Sequence, residues 1–365
     1  MGVGDLKKNS RKILLNGILF FLVFGLTLYG VFWGEDLEQV FDAVRQANIL
    51  WLFPAIVCVL VFIWGESIIL WYMMRSYGLH MKERHCFLVS SVGFFFSCVT
   101  PSASGGQPMQ IYFMKKENIP IPVATVILMI VTIIYKLVLV VIGLGIILFA
   151  KDFMQTYLSS ILPIFYLGIG LNVFCVSFMI LLVFHPSLAK KIMVAGLYLL
   201  ERCHLLRHRE GRLAKLELSM DLYNDTAAHM KQNPWLIVQV FLITFVQRMA
   251  LFCVSYFVYR AFSLKGLPVL TVILLQAVIS VSVDMLPLPG GMGISETLFL
   301  AIFPPVFGEL LLPGMVLCRG LSYYSELLIS AVFTLAAVVV FERRGQNRKR
   351  NMAFRTVKAV TEERK

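Results

Sequence analysis

Two apolar stretches of this chain are broken near their centres by proline and a glycine pair, and these breaks limit what it can fold into. The first, residues 90–116, runs SSVGFFFSCVT into Pro101. It then crosses Ser102, Ala103, Ser104, Gly105 and Gly106 and leaves through Gln107, Pro108, Met109 and Gln110 into further apolar sequence. The second, residues 276–296, repeats the plan: an apolar run, Pro287, Pro289, Gly290, Gly291 and a polar exit ending at Glu296. Proline and paired glycines stop a helix, here only half a membrane deep. In lipid, broken backbone survives only where protein or a watery cavity satisfies its N–H and C=O groups. Each stretch therefore predicts a re-entrant hairpin or a discontinuous helix. Pro108 suits the first turn of the outgoing helix, where a missing N–H costs nothing. That helix start directs N–H groups and partial positive charge at whatever fills the break, so an anionic group is the expected occupant.

The membrane setting follows from composition. Of 365 residues, 59% are hydrophobic and 15% charged, and the mean hydropathy is +0.80. Such a chain is polytopic rather than a large soluble core. Its net charge of +12 lies mainly between and after the apolar runs, which reports topology and anionic headgroups before nucleic acid. The seven cysteines are scattered without a CxxC and read as small buried hydrophobes, not a disulfide frame or metal site.

Taken in order, residues 1–12 are basic and expected in the cytoplasm. Full spans are expected over 13–34, 49–74, 119–150, 161–184, 234–262 and 312–341, about six in all. Residues 35–48 carry four acids against Arg45 and predict a short helix on the outer surface. If 85–114 crossed completely, the basic segment 185–233 would lie outside, so the positive-inside rule supports a hairpin here independently. That segment has eight Lys/Arg against five acids and reads as amphipathic helices on anionic lipid. The second hairpin, 268–304, is entered from the outside. The tail, 342–365, has nine Lys/Arg and three acids and is expected in the cytoplasm. The transmembrane domain thus covers 13–341, with a first half over 49–184 and a second over 234–341.

The halves resemble each other in register. Lys136 lies thirty residues past Gly106 and Arg319 twenty-eight past Gly291; Glu66 and Arg248 lie upstream of the two breaks by similar intervals. Opposite orientation and paired broken segments are the signature of an inverted repeat with its binding site at the breaks. Glu66, Lys136, Arg248, Asp284, Glu296, Arg319 and Glu326 are ionisable groups in or beside apolar runs. Each costs at least ~2.5 kcal/mol at mid-membrane, so each should face the interior and find a partner. One reading is a polar cavity for a charged headgroup, with Lys136 and Arg319 on phosphate. The other is structural ion pairing, Glu66 with Lys136 for example. Asp284 and Glu296 are placed at the hairpin mouths. Ser102, Ser104, Gln107 and Gln110 bond either a ligand or the broken backbone. His204 and His208 are spaced for a metal but have no third ligand nearby, and read as a solvated basic face. No Walker A, GxSxG, HExxH or nucleophile–base arrangement occurs, and neither an enzyme nor a cofactor is indicated.

At TPSASGGQPMQIY (100–112) and PLPGGMGISE (287–296), the chain resembles the lysylphosphatidylglycerol synthase transmembrane family, the flippase-like membrane domain of the multiple peptide resistance factor. The resemblance covers residues 10–341 and implies an all-α polytopic protein of the bacterial inner membrane that moves a phospholipid or lipid phosphate, aminoacylated phosphatidylglycerol included, between leaflets. In full-length members a cytosolic domain transfers lysine from lysyl-tRNA to phosphatidylglycerol, and the moved lipid repels cationic antimicrobial peptides. Residues 342–365 are too few for that domain, so the lysyltransferase chemistry is not expected here even where the family label carries it. The alternative that the resemblance allows is a membrane subunit for a separate synthase, with 185–233 and the tail docking an acidic partner or tRNA. Membrane lipids are the expected partners, with homo-oligomerisation open.

Overall fold

The computed structural model describes residues 37–100, 103–202, 212–288 and 291–341. The expected span over 13–34, the tail 342–365, the His204 and His208 pair, and Pro101, Ser102, Pro289 and Gly290 lie outside these residues. Among the described residues every regular element is helical. In order they are α1 (Leu37–Gln46), α2 (Ile49–Ser76), α3 (Glu83–Val99), α4 (Gly106–Lys116) and α5 (Ile121–Phe149). Then follow α6 (Lys151–Tyr157), α7 (Leu162–Phe184), α8 (Pro186–Arg202), α9 (Arg212–Gln232) and α10 (Pro234–Ala261). The described residues end with α11 (Val269–Val283), α12 (Ile294–Ile302), α13 (Pro304–Phe307), a 3-10 turn (Gly308–Leu310), α14 (Leu311–Arg319), a π-helical segment Gly320–Tyr324, and α15 over 325–341.

Among the described residues, five helical stretches are long and apolar enough to cross a membrane: Ile49–Ser76, Ile121–Phe149, Leu162–Phe184, Pro234–Ala261 and Pro304–Phe341. Their outward faces carry large apolar side chains, such as Phe174, Val246 and Leu335. In water such surface would aggregate; against lipid it is the expected exterior. The helices beside the breaks are different. α3 has 17 residues, α4 has 11, α11 has 15 and α12 has 9. Each is shorter than the ~20 residues that a full span needs.

The two halves meet chiefly through α2 and α10. They run antiparallel, with the backbone N–H of Asn48 at the start of α2 donating to the Ala261 carbonyl at the end of α10 over 2.8 Å. This satisfies one of the carbonyls that a helix end leaves unpaired. Asn48 also caps α2, its Oδ1 accepting from the Leu50 N–H at 2.9 Å. Gly65 lets the two helices close up, since a Cβ there would sit 3.0 Å from Gln247 Cγ.

The apolar core has two large clusters and one small one. One large cluster takes residues 55–63 of α2, 138–146 of α5 and 252–259 of α10. The other takes 69–74 of α2, 123–134 of α5 and 236–240 of α10. The ionisable residues fall in the gap. Lys136 is sixteenth of the 29 residues of α5, Arg248 fifteenth of the 28 of α10, and Glu66 eighteenth of the 28 of α2. A polar belt thus crosses the bundle near half its height.

Candidate functional site

The polar belt encloses a cavity of about 580 Å³. Six of the seven predicted charged residues line it: Glu66, Lys136, Arg248, Asp284, Arg319 and Glu326. Ser104, Gln107, Gln110 and Gly291 join them from the two breaks. Glu296 stands behind Arg319, bonded to it. Gly105 and Gly106 do not line the cavity, and Pro287 is exposed.

The first break is closed by its own backbone and by threonine. Thr100 Oγ1 donates to the Phe96 carbonyl at 2.6 Å and accepts from the Gly105 N–H at 2.9 Å. Ala103 adopts a left-handed backbone (φ 53°), and its N–H donates to the Thr100 carbonyl at 3.2 Å. α4 then starts hard against α3. A Cβ on Gly106 would lie 2.2 Å from Ser97 Oγ and 2.7 Å from the Gly93 carbonyl oxygen. A Cβ on Gly93 would strike the Gln110 amide at 2.4 Å. These glycines leave room for Gln110 Nε2 to donate to Glu66 Oε1 at 2.8 Å. Gln107 bonds Thr132 on α5. Pro108 falls in the first turn of α4, as expected.

The second break is held by charge on both sides. Asp284 caps the end of α11; its Oδ2 accepts from Lys136 Nζ at 2.5 Å and its Oδ1 from the Tyr135 hydroxyl. Glu296 lies in the first turn of α12, where negative charge meets the helix dipole favourably. One of its oxygens accepts from the Gly293 N–H and the other from Arg319 Nε, each at 2.7 Å. The expected pairing of Glu66 with Lys136 is therefore replaced: Lys136 turns to Asp284 across the two halves, and Glu66 faces Gln110. Asp284 and Glu296 are not at watery mouths; they are bonded into the bundle, with Glu296 3% exposed.

Arg248 is held differently. Its guanidinium lies 3.7 Å from the centroid of the Tyr135 ring and 4.7 Å from that of Phe62. Its buried Nε has no hydrogen-bond partner. Such stacking suits arginine, whose planar, weakly hydrated cation lies on aromatic faces. Gln247, next in sequence, donates to the Phe62 carbonyl at 2.7 Å and fixes the α2–α10 register.

The two breaks meet. Cys98 at the end of α3, Met292 after the second glycine pair and Tyr323 form one small buried cluster. The Tyr323 hydroxyl donates to the Cys98 carbonyl at 2.9 Å. Tyr323 reaches it from the π-helical segment that begins directly after Arg319; such segments recur at functional sites. Sequence reading did not find Tyr135, Thr132, Tyr323 or this segment. A tyrosine beside an embedded lysine was the available signal for Tyr135. Among the described residues no group of three His, Cys, Asp or Glu could hold a metal.

Among the described residues, an all-helical bundle with five apolar helices of membrane length, and a polar cavity where two broken helix pairs meet, defines a multi-pass membrane protein. The family model described as the lysylphosphatidylglycerol synthase TM region matches residues 13–330, and the chain belongs to that family. The family links the protein to lipid modification. No curated protein matches it.

Proposed function

We propose that the protein is a lipid translocase whose site is the cavity between the breaks. The cargo is an anionic or zwitterionic lipid phosphate, a phosphatidylglycerol derivative or polyprenyl phosphate among them. The α3–α4 and α11–α12 pairs are re-entrant hairpins of an inverted repeat, and the termini lie in the cytoplasm of a bacterial inner membrane.

The cavity carries this reading. Charged side chains at mid-depth are costly, and a structural role would let each cation find a carboxylate and the space between them fill. Here the space stays open, at a size usual for small-ligand sites, and Arg248 keeps a donor without a partner. A volume near 580 Å³ suits a headgroup, with acyl chains left in the surrounding lipid. Arg248 is the first phosphate contact. Lys136 and Arg319 join it by exchanging Asp284 and Glu296 for phosphate oxygens as the breaks move apart.

Reconstitution tests the reading. The full chain in vesicles should speed exchange of at least one fluorescent lipid phosphate between leaflets well above protein-free vesicles. Exchange no faster than in protein-free vesicles, across a panel of anionic, zwitterionic and aminoacylated headgroups, would reject it.

A further inference from the structure

Counted with Glu296 behind Arg319, the site has seven charged side chains, an odd number. Two of its cations are matched one to one, Lys136 with Asp284 and Arg319 with Glu296. That leaves Arg248 with two carboxylates, Glu66 and Glu326, and neither of these has a cation within ion-pair distance. Glu66 accepts from the neutral amide of Gln110. Glu326 meets the Cys98 thiol at 4.0 Å. Arg248 acts electrostatically on both of them, and Glu326 also feels Glu66 and, more weakly, Arg319. The other titratable groups lining the cavity with them are Tyr135, Lys136, Cys175, Asp284, Cys318, Arg319 and Tyr323, and Tyr324 interacts with Arg319. The two lysine and arginine groups among these already serve Asp284 and Glu296.

Uncompensated charge is expensive in a bundle interior, and a carboxylate without a counter-ion avoids that cost by keeping its proton. Against a single Arg248, neutrality is reached when Glu66 and Glu326 share one proton. When a headgroup monoanion takes Arg248 as its counter-ion, both carboxylates need protons. Binding one anion then takes up one proton, and releasing it returns one. By linkage the effect is reciprocal: protonation strengthens anion binding as much as anion binding favours protonation.

We infer that Glu66, Arg248 and Glu326 form a proton-coupled anion site, in which Arg248 takes the phosphate and the two glutamates take one proton for each anion carried. The cargo rests on the translocase reading above; the coupling rests on the three side chains. Each loaded site is neutral, so transport is indifferent to voltage and driven by a pH difference.

The test uses the full chain in phosphatidylcholine vesicles with a trace of acyl-chain-labelled fluorescent phosphatidylglycerol. The membrane potential is clamped at zero and the lumen made one pH unit more alkaline. The expected result is enrichment of the probe in the inner leaflet approaching about tenfold, because one proton per lipid makes the lipid ratio follow the proton ratio. Collapse of the pH step should return it to one. Glu66→Gln and Glu326→Gln should each slow exchange by perturbing the site, but each leaves one titrating carboxylate, so the final ratio should still approach about tenfold. Glu66→Gln/Glu326→Gln should exchange lipid with a ratio of one and respond instead to an imposed potential. Rapid wild-type exchange at a ratio of one overturns the inference while leaving the translocase reading standing, whether or not the double variant folds. Enrichment that persists in the folded double variant overturns the role of the glutamates. In parallel, vesicles are given radiolabelled inorganic phosphate. Phosphate accumulated across the pH step without lipid exchange keeps the proton-coupled site and rejects the lipid cargo; neither lipid exchange nor phosphate uptake rejects both.

Discussion

Lys136 and Asp284 are each about one-tenth exposed in their side chains, 10% and 9%, so their attraction is little screened. Removing one partner of such a pair leaves a buried charge and costs about 3–5 kcal/mol, whereas replacing both with neutral groups is often close to harmless. Lys136→Met should therefore lower the melting temperature in detergent clearly, and Lys136→Met/Asp284→Asn should recover most of the loss. Equal melting of single and double variants would contradict the pairing. Arg319 makes a sharper case, since its Nε engages one oxygen of a carboxylate whose other oxygen caps Gly293. Arg319→Lys cannot copy that planar donor geometry. We expect at least roughly a tenfold loss of lipid exchange, the size of one charge-assisted hydrogen bond of about 1.5–3 kcal/mol, in a protein that still folds; exchange at the wild-type rate would remove Arg319 from the site. At this scale the embedded charges were legible, because an ionisable group in an apolar run is costly and must face the interior. Their partners were not. Which carboxylate meets Lys136 depends on the rotation of α5 against α11, and no spacing within either helix encodes it.

Among the elements, the breaks were legible and their fittings were not. Proline and paired glycine mark where a helix stops: α3 and α11 end before those residues, and α4 and α12 start at or after the glycines. The glycines prove to act through contact as much as through flexibility. Gly106 seats the start of α4 on α3, with only 2.7 Å between a notional Cβ and the Gly93 carbonyl oxygen. Gly106→Ala should thus overpack this junction, at about 1–3 kcal/mol, and weaken lipid exchange through the displaced Gln107 and Gln110. Gly145, with nothing within 4 Å of a notional Cβ, is the control: Gly145→Ala should leave both melting temperature and exchange unchanged. A Gly106→Ala protein as stable and active as wild type would show that the two arms do not need this contact. The expected single span over 312–341 hid a different device. Its π-helical segment puts Tyr323 on the Cys98 carbonyl and leaves Ser322 beside the cavity. An extra residue in one turn leaves no trace in hydropathy, which is why sequence could not find it. The short helix α6 after α5 was missed likewise, being too brief to show a period.

Across the whole molecule, hydropathy marked the long helices well, since only runs of about 20 apolar residues can span a bilayer. The pairing of α2 with α10, which carry Glu66 and Arg248, was not legible, because no spacing within either helix names its neighbour. The division of the core into two large apolar clusters by one polar belt could not be read from any single helix. It needs Glu66, Lys136, Arg248 and Glu326 at one level on four elements, a property of the packed bundle. Plugging that level gives the most direct test of the account. Ser322 faces the cavity beside Arg319 and Tyr323, so Ser322→Trp would place an indole in the space assigned to the headgroup. The measurement is the rate of lipid exchange between leaflets in matched vesicles, together with melting temperature. Near-complete loss of exchange is expected in Ser322→Trp, with the melting temperature close to that of wild type. Wild-type exchange by the folded Ser322→Trp protein would contradict it, because lipid would then be crossing somewhere other than this cavity.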